Sequence, residues 1–183
     1  MSELIKKLSE PLPFHWRISR LNRAKGVAEC VPYIDARDAM NRLDQVLGPF
    51  GWQDDYKDLG GKIYCTVKIL YLAKFKSSAS IEEKNAGRGV WYEKSDCGMP
   101  SDIEGDKGQA SDAFKRACVK WGLGRFLYAV PPMYCPVREF GKTWYPFDPV
   151  TGARIEDLTQ FFEANPGLTT QAAAIALFKT TKS

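Results

Sequence analysis

GQASDAFKRACVKWG, Gly108 to Gly122, is the stretch from which the organisation of this 183-residue chain is read. Each residue of a helix advances by about 100°, so Ala110, Ala113, Phe114, Ala117, Cys118 and Trp121 share one face, at the i, i+3, i+4, i+7 spacing of a helix laid on a core. Lys115, Arg116 and Lys120 fall on the remaining surface with no acidic residue at i+4 to cancel them. A helix held by one side therefore presents positive charge with the other. Gly122 and Gly124 bracket the stop, because glycine closes a last turn in the left-handed conformation, and Arg125 follows beside that end. Alone, such cations are an ordinary solvated surface; the rest of the chain must supply their partner.

Upstream of this helix the period is two. Trp52 opens a strand-like run to Leu59, Gly60-Gly61 makes a turn, and KIYCTVKILYLAKF returns as a second strand. Ile63, Cys65, Val67 and Ile69 face one way, and Tyr64, Thr66 and Lys68 the other, which predicts a half-wet sheet. Residues 76 to 87 read as an exposed loop, GRGVWYEKSD as a third strand, and residues 98 to 108 as a polar lead into the helix. Earlier still, Ala36, Met40, Leu43 and Leu47 line a second helix. Asp35 is its N-cap and Gly48-Pro49 its stop, and Arg37, Asp38, Asn41, Arg42, Asp44 and Gln45 lie off the apolar stripe. At the amino end ELIKKL makes a short amphipathic turn ended by PLP, FHWRISR makes a strand, and Arg20, Arg23 and Lys25 lie in a basic loop.

Downstream, FLYAVPP leads into a small hairpin around Gly141-Lys142, whose prolines suggest a sheet edge. IEDLTQFFEA and TQAAAIALF are two short helical patterns split by Asn165-Pro166-Gly167. The fold class is α+β: an antiparallel sheet of at least three strands covered by two long helices. Residues 1–150 form the core and 151–183 a short helical appendage.

Composition narrows the function. With 44% hydrophobic and 26% charged residues the chain is globular, and a net charge of +4 supports polyanion binding only where the cations cluster. No run is apolar enough for a membrane span, so no membrane partner is expected. Cys30, Cys65, Cys97, Cys118 and Cys135 form no CxxC pair and His15 is the only imidazole, which argues against zinc. Their odd number and the lack of a leader sequence imply free thiols in a reducing, intracellular compartment. GxxxxGK[ST] and GxGxxG are both absent, so nucleotide chemistry has no support. Asp96, Asp102, Glu104, Asp106 and Asp112 could in principle hold magnesium for phosphodiester cleavage, but carboxylates strung along a glycine-containing loop are poorly preorganised, and an acidic loop is the better reading.

Two blocks resemble a known family. YIDARDAMNRLDQVLGPFGW, Tyr33 to Trp52, resembles the helix-to-turn signature of the Rad fifty-two family of single-strand annealing proteins, and ASDAFKRACVKWG resembles its second, TDxxKRAxRxFG. ELIKKLSEPLPFHW looks like the opening of phage annealing proteins and of DdrA-like bacterial repair proteins of the same superfamily. The resemblance covers about residues 1 to 130. It implies a non-enzymatic protein that anneals complementary strands in recombination and repair without ATP, metal or other cofactor. It also implies a homo-oligomeric ring or spiral with single-stranded DNA in an outer groove. Lys115 and Arg116 match the family's basic pair that contacts the DNA backbone, and Lys107 matches a family lysine. Arg37 stands one step before the family's arginine position, which is Asp38 here, and Arg125 has no counterpart. Lys68, Arg88 and Lys94 are candidates for a second DNA site by charge and strand position.

The expectation is an ATP-independent annealing protein of the bacterial or phage-infected cytoplasm, binding DNA through Lys115, Arg116, Arg37, Lys107, Arg125 and Lys68, with a single-strand binding protein as a candidate partner for the tail. The alternatives are a monomeric module that protects nucleic-acid ends and a magnesium-dependent nuclease.

Overall fold

A computed structural model describes residues 2–71, 89–98 and 105–180. In chain order the elements are α1 (Ser2–Leu8), β1 (His15–Asn22), β2 (Val27–Tyr33), α2 (Ala36–Leu47), β3 (Trp52–Asp58), β4 (Ile63–Tyr71), β5 (Val90–Cys97), α3 (Gly105–Lys120), β6 (Met133–Phe140), β7 (Thr143–Pro146), α4 (Leu158–Ala164) and α5 (Gln171–Thr180). They divide into two units, residues 1–12 with 35–126, and residues 13–34 with 127–183.

The first unit holds the expected three-stranded antiparallel sheet, in the order β3-β4-β5. Gly60 and Gly61 both have positive φ, 65° and 77°, which lets them make the tight turn between β3 and β4. The alternation along β4 holds: Cys65, Val67 and Ile69 are buried under α3, while Tyr64, Thr66 and Lys68 are on the opposite face. On α3 the buried residues are Gln109, Ala113, Phe114, Ala117 and Cys118, and Trp121 beyond its last turn is buried too. Trp121 Nε1 donates to the Val67 carbonyl at 3.1 Å, tying the helix end to the middle of the sheet. The stop is a Schellman closure: Gly122 N–H donates to Val119 O at 3.0 Å, Leu123 N–H to Cys118 O at 3.3 Å, and Gly122 has φ 98°.

Among the described residues it is α3 that lies along β4 and β5. The expected second covering helix, α2, packs chiefly on α1 and α3 and touches the sheet mainly at β3. Its buried stripe is Ala39, Arg42 and Leu43, so Arg42 leaves the polar surface that the helical period gives it. The reason is local. The Arg42 guanidinium donates to the carbonyls of Lys7 at 2.9 Å, Glu10 at 3.0 Å and Pro11 at 3.2 Å, satisfying the end of α1 and the proline segment after it. Asp35 caps α2 as expected, and Asp38 completes a capping box, its carboxylate accepting from the Asp35 N–H at 2.8 Å.

The second unit carries a second sheet, antiparallel, in the order β1-β2-β6-β7. The sequence reading missed β2. Val27, Ala28 and Cys30 are all buried, and a strand lying between two others loses the alternation that marks a half-exposed one. The hairpin around Gly141 is present as β6 and β7; β7 is an edge, whereas β6, with Pro136 opposite Val27, is interior. The helices α4 and α5 pack on β1, β2 and β6, and Phe162, Leu168 and Ala174 join Val27, Ala28, Cys30, Met133, Cys135 and Val137 in one core. Cys30 and Cys135 are free thiols with sulfurs 3.7 Å apart.

Arg42 yields a stability prediction. Its replacement by alanine leaves three carbonyls short of a donor and is expected to cost about 2–4 kcal/mol in urea unfolding, and lysine, a point donor without the guanidinium fork, restores little of it.

Candidate nucleic-acid interface

The β4–β5 register decides what surrounds the end of α3. Val67 pairs with Lys94 and Cys65 with Asp96, so Lys94 and Asp96 rise on the α3 side of β5. Asp96 bridges two successive turns of the helix, with Oδ1 3.5 Å from Arg116 and Oδ2 3.6 Å from Lys120. Lys120 Nζ also donates to the Ser95 carbonyl. Lys94 Nζ donates to the Lys120 carbonyl at 2.7 Å and lies 4.5 Å from the centre of the Trp121 ring. Arg125 donates to the carbonyls of Val119 at 2.8 Å and Lys120 at 3.3 Å. Lys94 and Arg125 thus sit on the carbonyl end of α3, where the helix dipole favours cations.

The result is a cationic end on one helix. Arg116, Lys120, Lys94 and Arg125 gather there, and Lys115 neighbours Arg116 on the same helix. Lys115 is half-buried and forms no ion pair among the described residues. The partner that the helix itself lacks at i+4 comes from β5: Asp96, considered from sequence only as a metal ligand, is the counter-ion of the basic face. The Arg116 and Lys120 side chains keep 42% and 47% of their surface exposed, while Arg116 Nε is buried without a partner among the described residues.

Other expected residues stand apart from this group. Arg37 is exposed in the first turn of α2, while Asp38, at the place of the family's arginine, has its carboxylate in the capping box. Lys68 pairs in register with Glu93 and Gln53 on the sheet face turned away from α3. It therefore cannot share one site with Lys94, with which charge alone would group it. Lys107 lies in the first turn of α3, but its side chain is outside the described residues, as are Arg88, Asp102 and Glu104. Among the described residues no three His, Cys, Asp or Glu side chains converge as a metal site. His15 is exposed on β1, its ring 5.9 Å from that of Tyr33. No helix among the described residues is long and apolar enough to cross a membrane.

Residues 1–133 match the profile of the Rad52/22 family double-strand break repair protein. The chain belongs to this family. The Rad52/22 match takes in the whole first unit and every cation of the α3 end, and stops where β6 begins. Two relatives are the single-stranded DNA-binding proteins DdrA of Deinococcus deserti and Deinococcus radiodurans. They are 30% and 29% identical over 137 residues, which is 73% of this chain and 61% and 59% of theirs. This chain therefore spans about three fifths of the length of these two relatives.

Beneath the cationic end, Cys65 and Cys118 are fully buried. Burial against α3 pushes the Cys65 thiol from an ordinary 9.0 up to about 11, with Asp54 and Asp55 adding to the shift, and burial raises Cys118 as well. A raised thiol pKa means that the folded state holds the proton longer than the unfolded chain. This contribution is complete below pH 9 and is lost as the pH rises from there through about 11. Urea midpoints are therefore expected to fall across that window, and Cys65→Ala and Cys118→Ala variants to show a shallower fall.

Proposed function

We propose that this chain binds single-stranded DNA and anneals complementary strands in recombination and repair, without ATP, as a homo-oligomer in the cytoplasm of a bacterium or phage-infected cell. The observation that carries this reading is the gathering of Lys94, Lys115, Arg116, Lys120 and Arg125 at the end of a core-anchored helix, on a Rad52/22 fold whose relatives are named for binding single-stranded DNA. Annealing requires a strand held by its backbone with the bases free to pair, so the contacts should go to phosphates, and cations rather than base-reading amides are what the site offers.

Lys115 and Arg116 are assigned the main backbone contact, with Arg37, Lys107 and Arg125 adding phosphate contacts along the same strand. Lys68, on the other face of the sheet, is assigned to a second strand. Repetition of a small site around an oligomer explains how a chain of net charge +4 could hold DNA tightly. The annealing core is residues 1–150, and the helices within 151–183 offer a docking element for a single-strand binding protein.

The test is the Lys115→Ala, Arg116→Ala double variant, assayed for oligo-dT affinity by anisotropy and for annealing of complementary oligonucleotides. Affinity is expected to fall at least tenfold, and the log–log salt slope to shrink by about 0.7 for each phosphate that is no longer neutralised. Wild-type annealing by the double variant would remove these two residues from the interface. Strand degradation on adding magnesium would favour a nuclease, and a monomer in light scattering would favour an end-protecting module.

A further inference from the structure

The basic face of α3 already contains an anion. Asp96 offers two oxygens and one negative charge, the same count as the non-bridging oxygens of a phosphodiester, and it presents them between Arg116 and Lys120 at 3.5 and 3.6 Å. Charge-assisted hydrogen bonds that hold a partner firmly are shorter, about 2.7–2.9 Å, so this bridge is loose. The exposure is graded as well: the carboxylate keeps 20% of its side-chain surface, against 42% and 47% for the two cations, so the acid is recessed behind them. Asp96 is also tethered, since its Oδ1 accepts from the Cys97 N–H of its own strand at 2.8 Å, so it cannot follow Arg116 or Lys120 toward solvent.

Building on the single-stranded DNA reading above, we infer that Asp96 is a resident stand-in for a DNA phosphate, and that DNA binds by exchange: a backbone phosphate takes Arg116 and Lys120 from the Asp96 carboxylate. The free protein then keeps its two cations close to their working positions, and each subunit gives up part of its binding energy to displace the carboxylate. Such a handicap suits annealing, where a strand must be let go once it has paired. Asp96 is a positioning residue on this account, and its charge sets affinity and release rather than fold. A purely structural brace between β5 and α3 predicts the reverse, because removing a brace loosens the cations and weakens binding.

Asp96→Asn separates the two accounts, because the amide keeps the shape and the oxygen that accepts from Cys97 while losing the charge. Oligo-dT affinity at moderate salt is expected to rise about threefold to tenfold, since the exposed ion pairs it relieves are individually weak. Duplex release should slow, and the salt slope should stay near the wild-type value, since the same phosphates are neutralised in both proteins. In the Arg116→Ala background the gain should disappear. Affinity of Asp96→Asn equal to or below that of the wild type, with the Arg116→Ala defect intact, overturns the inference and leaves the DNA-binding reading standing. Failure of the wild type to bind oligo-dT overturns that reading and the exchange with it. Should the asparagine variant not fold, Asp96→Ser makes the same comparison.

Discussion

The first unit depends on one contact, the seating of α3 on β4. Phe114, Ala117, Cys118 and Trp121 meet Cys65, Val67 and Ile69, and none of these side chains exposes more than 4% of its surface. The apolar part of the contact is non-directional and could tolerate sliding. The hydrogen bond from the Trp121 indole to the Val67 carbonyl does not, and it fixes where along the sheet the helix stops. Once that point is set, the positions of Arg116 and Lys120 over Asp96, and of Lys94 and Arg125 at the last carbonyls, follow from helix pitch and strand register.

The electrostatics of the α3 end are a consequence of that seating. A helix ending over a strand brings its negative pole to a place where two flanking segments each contribute a cation, Lys94 from β5 and Arg125 from the turn after α3. The carbonyl end is neutralised by residues that also face solvent, so groups that stabilise the helix double as surface charge. Lys94 goes further, spanning from the Trp121 ring to the Lys120 carbonyl and so joining the core contact to the cationic surface.

Much of the first unit could be read from the chain because its signals are local. The spacing of Ala113, Phe114, Ala117 and Cys118, the alternation of Cys65, Val67 and Ile69, and the Gly60-Gly61 turn each depend on a few neighbouring residues. What escaped depends on partners distant in sequence. Arg42 looked like surface because nothing near it announces three carbonyls more than 30 residues earlier. Asp96 looked like a loop carboxylate because its ion pairs need the β4–β5 register together with the phase of α3. Strand β2 lacked alternation because β6, its second neighbour, comes a hundred residues later. The helix period placed Lys115 and Arg116 off the buried face of α3, whereas the counter-ion that Arg116 shares with Lys120 had no local signal.

The second unit is assembled from the two stretches of chain that flank the body of the first, and this orders events at the ribosome. Ala28 must wait for Cys135, its cross-strand partner, and at about 5–20 residues per second the interval is roughly 5–20 s. During that time the segment 35–126 has its own strands and helix to hand and can fold, while the hairpin of β1 and β2 has emerged with one flank unpaired. An open strand edge carrying Val27, Ala28, Cys30 and Val31 is a template for unwanted pairing. Synthesis rate and nascent-chain chaperones therefore bear on the yield of this protein through its amino-terminal hairpin more than through the helix that carries its charge.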